Sequence, residues 1–217
     1  MRSILTGRIL DVTLILCALA TTGAVVSRSS LFQKPATDGA TRFPGWKEDL
    51  AFDRRIGPAS APYRLVVWTD YQCPACKQFE QILSVVRAQL KDSLAVVYRY
   101  YPLPMHPLAF RAAVAAECAR EQGRFEAMHT TLFATELIGD SLPVTSLISH
   151  SQIPNQSTFR RCLVDSTMAA TVAVRTDMAR ASTLNLRGTP GVQIGDHIAT
   201  GGMLAPELIT ALRATRP

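Results

Sequence analysis

The chain predicts an α/β fold in one domain, or one domain with an insert, on three observations. Between Tyr63 and Tyr101 a continuous apolar run, an amphipathic helical segment and a second apolar run follow one another. A long stretch of helical pattern without any strand-like run comes next. Two short runs around Gly195-Asp196 and a last amphipathic segment close the chain. With 217 residues, 47% hydrophobic and 18% charged and free of repeats or low-complexity tracts, the chain is globular and long enough for one good core.

Taken in order, the first element is MRSILTGRILDVTLILCALATTGAVVSRSS, residues 1–30. Two arginines precede an apolar stretch from Val12 to Val26, with small-x-small sites at Ala18-Leu19-Ala20 and Thr22-Gly23-Ala24. This is the pattern of an export signal or of an N-terminal membrane anchor, and cleavage and retention both stay open. Either way the flanking arginines place the body of the protein outside the cytoplasm, in a periplasmic or extracytoplasmic compartment. Cys17 does not read as a lipid-attachment cysteine, because Leu16 stands where a small residue is needed. Residues 31–52, opening LFQKPATDGATRFPG, carry prolines and glycines with little apolar pattern and are expected to be a linker.

The folded domain is expected over 53–217. From Tyr63, YRLVVW has the continuous apolar character of a strand buried on both faces. Phe79, Ile82, Leu83, Val86 and Leu90 then recur at helical spacing, and SLAVVYRYY from Ser93 reads as a second strand. Strand, helix and strand make a right-handed crossover between parallel neighbours. The helical block, at about 104–186, contains PLAFRAAVAAECAREQ, GRFEAMHTTLFATEL, PVTSLISH and a segment from about Asn155 to Leu184. TPGVQIGDHIATGG then predicts a hairpin and APELITALRA a final helix.

The formal net charge is +6; without the first thirty residues, 20 basic against 16 acidic residues leave +4. No basic cluster is interleaved with aromatics, so nothing points to a nucleic-acid partner. Export makes disulfides persistent, and four cysteines follow the N-terminal segment: Cys73, Cys76, Cys118 and Cys162.

Cys73 and Cys76 form a C-x-x-C motif directly after the first strand, with Pro74 and Ala75 between them. Three chemistries use such a pair. Zinc would need two more ligands at usable spacing, yet the chain has no second C-x-x-C or H-x3-H. His106, His129, His150 and His197 are scattered and read as surface or packing residues. A purely structural staple across two residues would constrain the unfolded chain very little. A redox pair uses every feature: Cys73 falls at a helix start, where unpaired N–H groups favour thiolate, and Pro74 fits the first turn because its missing N–H is not needed there. Cys76, further in, is then the shielded, resolving thiol. No cofactor is implied.

The stretch IGPASAPYRLVVWTDYQCPACKQFE from Ile56 to Glu80, the turn YYPLPMHPLAFRAA, the segments AAECA and FRRCLVD, and Gly188-Thr189-Pro190 before the hairpin together resemble the DsbA-type thioredoxin-like thiol-disulfide oxidoreductases. The resemblance covers most of residues 53–215. It implies a thioredoxin fold whose two halves are separated by the helical domain, a cis peptide bond before Pro190, and Pro190 facing the C-x-x-C. It implies Cys73 as nucleophile or attacked sulfur, Cys76 as resolving thiol, and Pro74, Ala75, Thr189 and Pro190 as the surroundings of an extended substrate segment. It also implies that Cys118 and Cys162, whose segments could pack side by side, form a structural disulfide; two free buried cysteines are the alternative.

The activity so implied is disulfide exchange on cysteines of exported proteins, with a membrane redox partner that recycles the Cys73-Cys76 pair. Oxidation is the favoured direction, because isomerases of this group usually carry an N-terminal dimerisation domain that 31–52 is too short to form. A reductant, as in cytochrome maturation, keeps the same fold. A Cu(I) metallochaperone or a chaperone-like peptide binder is the reading from another class, although no Met or His ligand lies within ten residues of the pair. One position departs from the family: Val67 stands six residues before Cys73, where a buried carboxylate is common. Proton exchange with the resolving thiol is then expected to run through Asp70, a water or the substrate.

Overall fold

The apolar run from Tyr63 forms the centre of a six-stranded sheet whose strands lie side by side in the order 41–42, 197–200, 191–194, 63–69, 94–100 and 55–56. The structure, a computed structural model, describes residues 41–42, 46–50 and 54–215. All of them belong to the compact unit that begins at Ala40. The export segment and much of the expected linker lie outside the described residues. Among those described, no helix is long and apolar enough to cross a membrane.

The elements run β1 (Thr41–Arg42), α1 (Trp46–Asp49), β2 (Arg55–Ile56), β3 (Tyr63–Thr69), α2 (Pro74–Leu90), β4 (Leu94–Tyr100), α3 (Ala109–Arg120), α4 (Phe125–Ala134), α5 (Val144–His150), α6 (Gln156–Val164), α7 (Ala169–Thr183), β5 (Gly191–Ile194), β6 (His197–Thr200) and α8 (Ala205–Ala214). β3 and β4 are parallel, Tyr63 beside Leu94 through Thr69 beside Tyr100. β5 and β6 form the hairpin, turning at Gly195, whose φ of 60° suits glycine. β5 lies antiparallel to β3, with Trp68 beside Gly191.

Both faces of β3 are covered, as its unbroken apolar sequence requires. Leu65 and Val67 join Phe79, Leu83 and Val86 of α2 and Leu208 and Leu212 of α8 in the main core. Val66 and Trp68 face the other way, onto Ala181, Leu184 and Leu186 at the end of α7. α3 is buried from Ala112 to Ala119 on every side. Its alanines admit close neighbours, and α4, α6 and α7 pack around it. Helices α3 to α7 thus form one insertion between β4 and β5, and the thioredoxin fold is the one observed.

Two features differ from the sequence reading. Part of the stretch expected to be a linker is in the fold: Thr41 and Arg42 pair with Ile198 and His197 at the sheet edge, and Trp46–Asp49 form α1. The segment of the helical block from about Asn155 to Leu184, read without a break, is divided into α6 and α7, because the Asp165 carboxylate accepts from both Thr167 N and Thr167 Oγ1 and offers the backbone a turn in place of the helix.

Cys118 of α3 and Cys162 of α6 are disulfide-bonded, with Cα atoms 6.0 Å apart and 44 residues between them in sequence. In the chain-entropy account a loop of this length stabilises by about 4 kcal/mol. Replacing both cysteines by alanine should lower the free energy of unfolding by about that amount in chemical denaturation. An unchanged midpoint and slope would show that the cross-link adds nothing the packing of α3 on α6 does not already supply.

Candidate active site

Cys73 is the N-cap residue of α2, in extended conformation, and Pro74 occupies the first helical position. The Cys73 side chain makes no capping bond of ordinary geometry, and its sulfur stands at the positive end of a 17-residue helix. Cys73 N donates to Asp70 O at 3.1 Å and Lys77 N donates to Cys73 O at 3.1 Å, fixing the entry of the chain into the helix. Pro74 and Ala75 are exposed. Cys73 is 6% exposed and Cys76, one turn in, 2%. Both thiols are free.

The hairpin brings the second half of the site. The Thr189-Pro190 peptide bond is cis. Thr189 O accepts from Cys73 Sγ at 3.5 Å. Pro190 is buried, and its carbonyl accepts from Gly201 N at 2.7 Å. Gly191 allows this approach, because a Cβ there would lie 3.1 Å from Trp68 Cβ. Cys73, Cys76, Thr189 and Pro190, more than a hundred residues apart in sequence, therefore meet at one place. Cys118 and Cys162 do not join them.

The two thiols are electrostatically unlike. A hydrogen bond from the Cys76 thiol brings Cys73 down to about 5, against the opposing effect of burial and with help from Thr189 and the backbone N–H groups of Cys76 and Ala75. The same bond and burial push the Cys76 thiol up, beyond the reach of ordinary solution pH. The Thr189 hydroxyl makes no hydrogen bond of ordinary geometry, yet it lies near enough both sulfurs to lower their pKa values.

Sequence reasoning missed the residues that hold the loop before Cys73. Asp70 is buried, and its carboxylate accepts from Gln72 N at 2.7 Å, Leu103 N at 2.8 Å and His106 Nδ1 at 2.7 Å. Gln72 Oε1 accepts from Leu108 N, and Gln72 Nε2 donates to Leu137 O at 3.0 Å. Asp70 and Gln72 thus bind the C-x-x-C loop to the start of the insertion. His106, read from the sequence as a packing or surface residue, is part of this clamp. Asp70, read as the nearest acid for proton transfer, has its carboxylate fully engaged on the loop at 103–106. Among the described residues no cluster of three or more His, Cys, Asp or Glu side chains could hold a metal ion.

A family model described as Thioredoxin matches residues 51–212. The chain belongs to this thioredoxin family. Its thioredoxin fold is also that of a thioredoxin-like oxidoreductase from Silicibacter pomeroyi, at a TM-score of 0.68 and 21% identity over 80% of this chain and 98% of the other. BdbD from Bacillus subtilis, in its oxidised form, superposes at a TM-score of 0.67 with 19% identity over 81% and 96% of the two chains. Among curated relatives, the Na(+)/H(+) antiporter NhaA 3 of Salinispora tropica is 37% identical over 143 residues, 64% of this chain and 21% of the antiporter. The thioredoxin chain thus spans about a fifth of the length of that relative.

Proposed function

We propose that the chain is a thiol-disulfide oxidoreductase acting on cysteines of exported proteins, in the direction of disulfide formation. The observation that carries the reading is the placement of Cys73 at the N-terminus of α2 with its sulfur against Thr189 and the cis Pro190. Cys73 is the exchanging sulfur and Cys76 the resolving one. Pro74, Ala75, Thr189 and Pro190 border the substrate segment. In the oxidising direction, a substrate thiolate attacks Cys73 of the Cys73-Cys76 disulfide and Cys76 leaves. A second substrate thiolate then attacks the mixed disulfide and releases Cys73 as thiolate.

Stabilising the Cys73 thiolate stabilises the reduced protein, which makes the oxidised form the stronger oxidant. A value of about 5 for Cys73 lies between the ~7 of thioredoxin and the ~3.5 of DsbA. A reductant of the same fold would be expected nearer the former. Equilibrating the protein with glutathione buffers and trapping thiols by alkylation decides the direction: a potential near about −120 mV supports the oxidase, and one near about −270 mV overturns it in favour of a reductant. The proposed site of action is outside the cytoplasm, where a membrane redox partner would reoxidise the pair.

The acidity of Cys73 gives a pH dependence with a definite sign. Its folded value is depressed below the ~8.5 of an unfolded thiol, so the ionised group stabilises the reduced protein fully above that value, and the contribution is lost as pH falls through about 5. Alkylation of the reduced protein with iodoacetamide should label Cys73 first, its rate halving near pH 5 and flat above about pH 6.5. Labelling of Cys76 first, or a rate still rising at about pH 8, would remove the case for an activated Cys73.

A further inference from the structure

The residue that would move a proton for Cys76 is missing from the strand. Val67, at the position where an acid was sought, is buried in the main core with Tyr71, Cys76 and Phe79. The Asp70 carboxylate is already engaged by three donors, Gln72 N, Leu103 N and His106 Nδ1. Yet only a thiolate can resolve a mixed disulfide, and Cys76, 2% exposed, has no direct path for its proton to solvent.

A second polar chain lies on the other side of the pair. Glu80 follows Cys76 by four residues, one turn further along the same face of α2. Tyr71 precedes Cys73 by two, is buried, and interacts electrostatically with both Glu80 and Cys76. Between them stands His129 of α4, 2% exposed. Its Nδ1 is hydrogen-bonded to the Tyr71 hydroxyl at 3.0 Å, and its Nε2 lies 3.5 Å from Glu80 Oε2 without a hydrogen bond of ordinary geometry. Tyr98 OH donates to Glu80 Oε2 at 3.1 Å, and Arg87 reaches both Tyr98 and that oxygen, at 2.9 and 3.3 Å. Glu80, Arg87 and His129 line a groove of about 360 Å³ between α2 and α4, together with Lys77, Thr130 and Phe133. The chain therefore runs from the neighbourhood of the buried thiol to solvent.

Resting on the oxidoreductase reading above, we propose that Tyr71, His129 and Glu80 form the proton relay of the resolving cysteine, with His129 as a positioning residue supplied by the helical insertion. In resolution of a mixed disulfide, the proton of Cys76 Sγ passes into this chain and out to water in the groove. The Cys76 thiolate attacks Cys73 Sγ, the Cys73-Cys76 bond forms, and the substrate sulfur leaves as thiolate and takes a proton from water. When a substrate thiolate attacks the Cys73-Cys76 disulfide, the same chain returns a proton to Cys76. Burial pushes the Glu80 carboxyl up, but His129, Arg87 and Tyr98 outweigh it and hold Glu80 below the ordinary carboxylate value, so it stays ionised and would pass a proton on to the groove rather than keep it. Around the relay, the charged and titratable groups are Lys77, Glu80 and Arg87 on α2, Tyr98 and Tyr100 on β4, and Arg54 and Glu117 on the far side of Tyr71.

His129→Phe keeps an aromatic ring among Tyr98, Phe125 and Phe133 and removes both nitrogens. With oxidised glutathione as the probe, quenched-flow measurement of the full chain separates formation of the Cys73 mixed disulfide from its resolution by Cys76. His129→Phe should slow resolution by roughly tenfold or more near pH 6.5, the deficit shrinking toward pH 9 as hydroxide takes over the base, while Cys73 alkylation is unchanged. Glu80→Gln should act in the same direction, and it carries the test if His129→Phe does not fold. Folded variants with the resolution rate and pH profile of the wild type would overturn the relay and leave the oxidoreductase reading intact. A wild type that forms no mixed disulfide with glutathione would overturn both.

Discussion

Cys73→Ser should lower the rate of disulfide exchange with a dithiol peptide by at least about a thousandfold, because among the described residues no other cysteine can take its place in the covalent step. Cys76 is buried at 2% exposure and its proton is held tightly. Cys118 and Cys162 are bonded to each other away from the site. Cys76→Ala should behave differently. A substrate disulfide can still be attacked by Cys73, but the reaction should halt at the mixed disulfide, visible by mass spectrometry as a stoichiometric adduct. The same variant tests the origin of the acidity. Since the hydrogen bond from Cys76 is the largest favourable influence on Cys73, Cys76→Ala should move the midpoint of Cys73 alkylation above about 5 toward the ordinary thiol value, with Thr189 and the helix N–H groups retaining part of the shift. Residual exchange in Cys73→Ser, or an adduct formed on Cys76, would reverse the two roles. An unmoved midpoint in Cys76→Ala would assign the acidity to the helix start alone.

The parts legible in the sequence are those whose local pattern and tertiary role agree. YRLVVW is apolar at every position because both faces of β3 are covered, and Pro74 after Cys73 marks a helix start for the same reason that makes Cys73 acidic. Gly195-Asp196 marks the hairpin turn through its backbone conformation. What escaped notice has no local signal. β1 and β2 are two residues each and exist only as partners of β6 and β4, Arg55 beside Val97 and Thr41 beside Ile198. His129 has the sequence surroundings of any helical packing residue, and only the approach of α4 to α2 puts it between Tyr71 and Glu80. Asp70, three residues before Cys73, is the acid that adjacency in sequence points to. Glu80 lies one helical turn from Cys76, and its i to i+4 spacing is the signal the sequence holds for it.

The charges buried behind the sheet were the least legible of all, since they come from four separate segments. Asp177 of α7 is 1% exposed and pairs with Arg54 and with Arg99 of β4, each at 2.9 Å, while accepting from Tyr100 N at 2.9 Å. Glu117 of α3 shares the cluster, 3.5 Å from Arg54 and 2.7 Å from Arg120, and accepts from Tyr100 OH at 3.1 Å. Burial pushes the Asp177 carboxyl up even against its two arginines, so the cluster is held near balance and each partner is needed by the others. Asp177→Ala would leave Arg54 and Arg99, both nearly inaccessible, without their shared counter-charge. The expected loss is about 3 to 5 kcal/mol, a large part of the ~5 to 15 kcal/mol that a domain of this kind has in hand. Asp177→Asn separates charge from shape: it fills the same space and can still accept from Tyr100 N, so a loss close to that of alanine assigns the effect to the missing negative charge that Arg54 and Arg99 share. Denaturant midpoints at constant slope measure both variants. If the asparagine variant were as stable as the wild type, the cluster would be held by packing and hydrogen bonding alone, and the link it forms between β4, α3 and α7 would owe nothing to its charges.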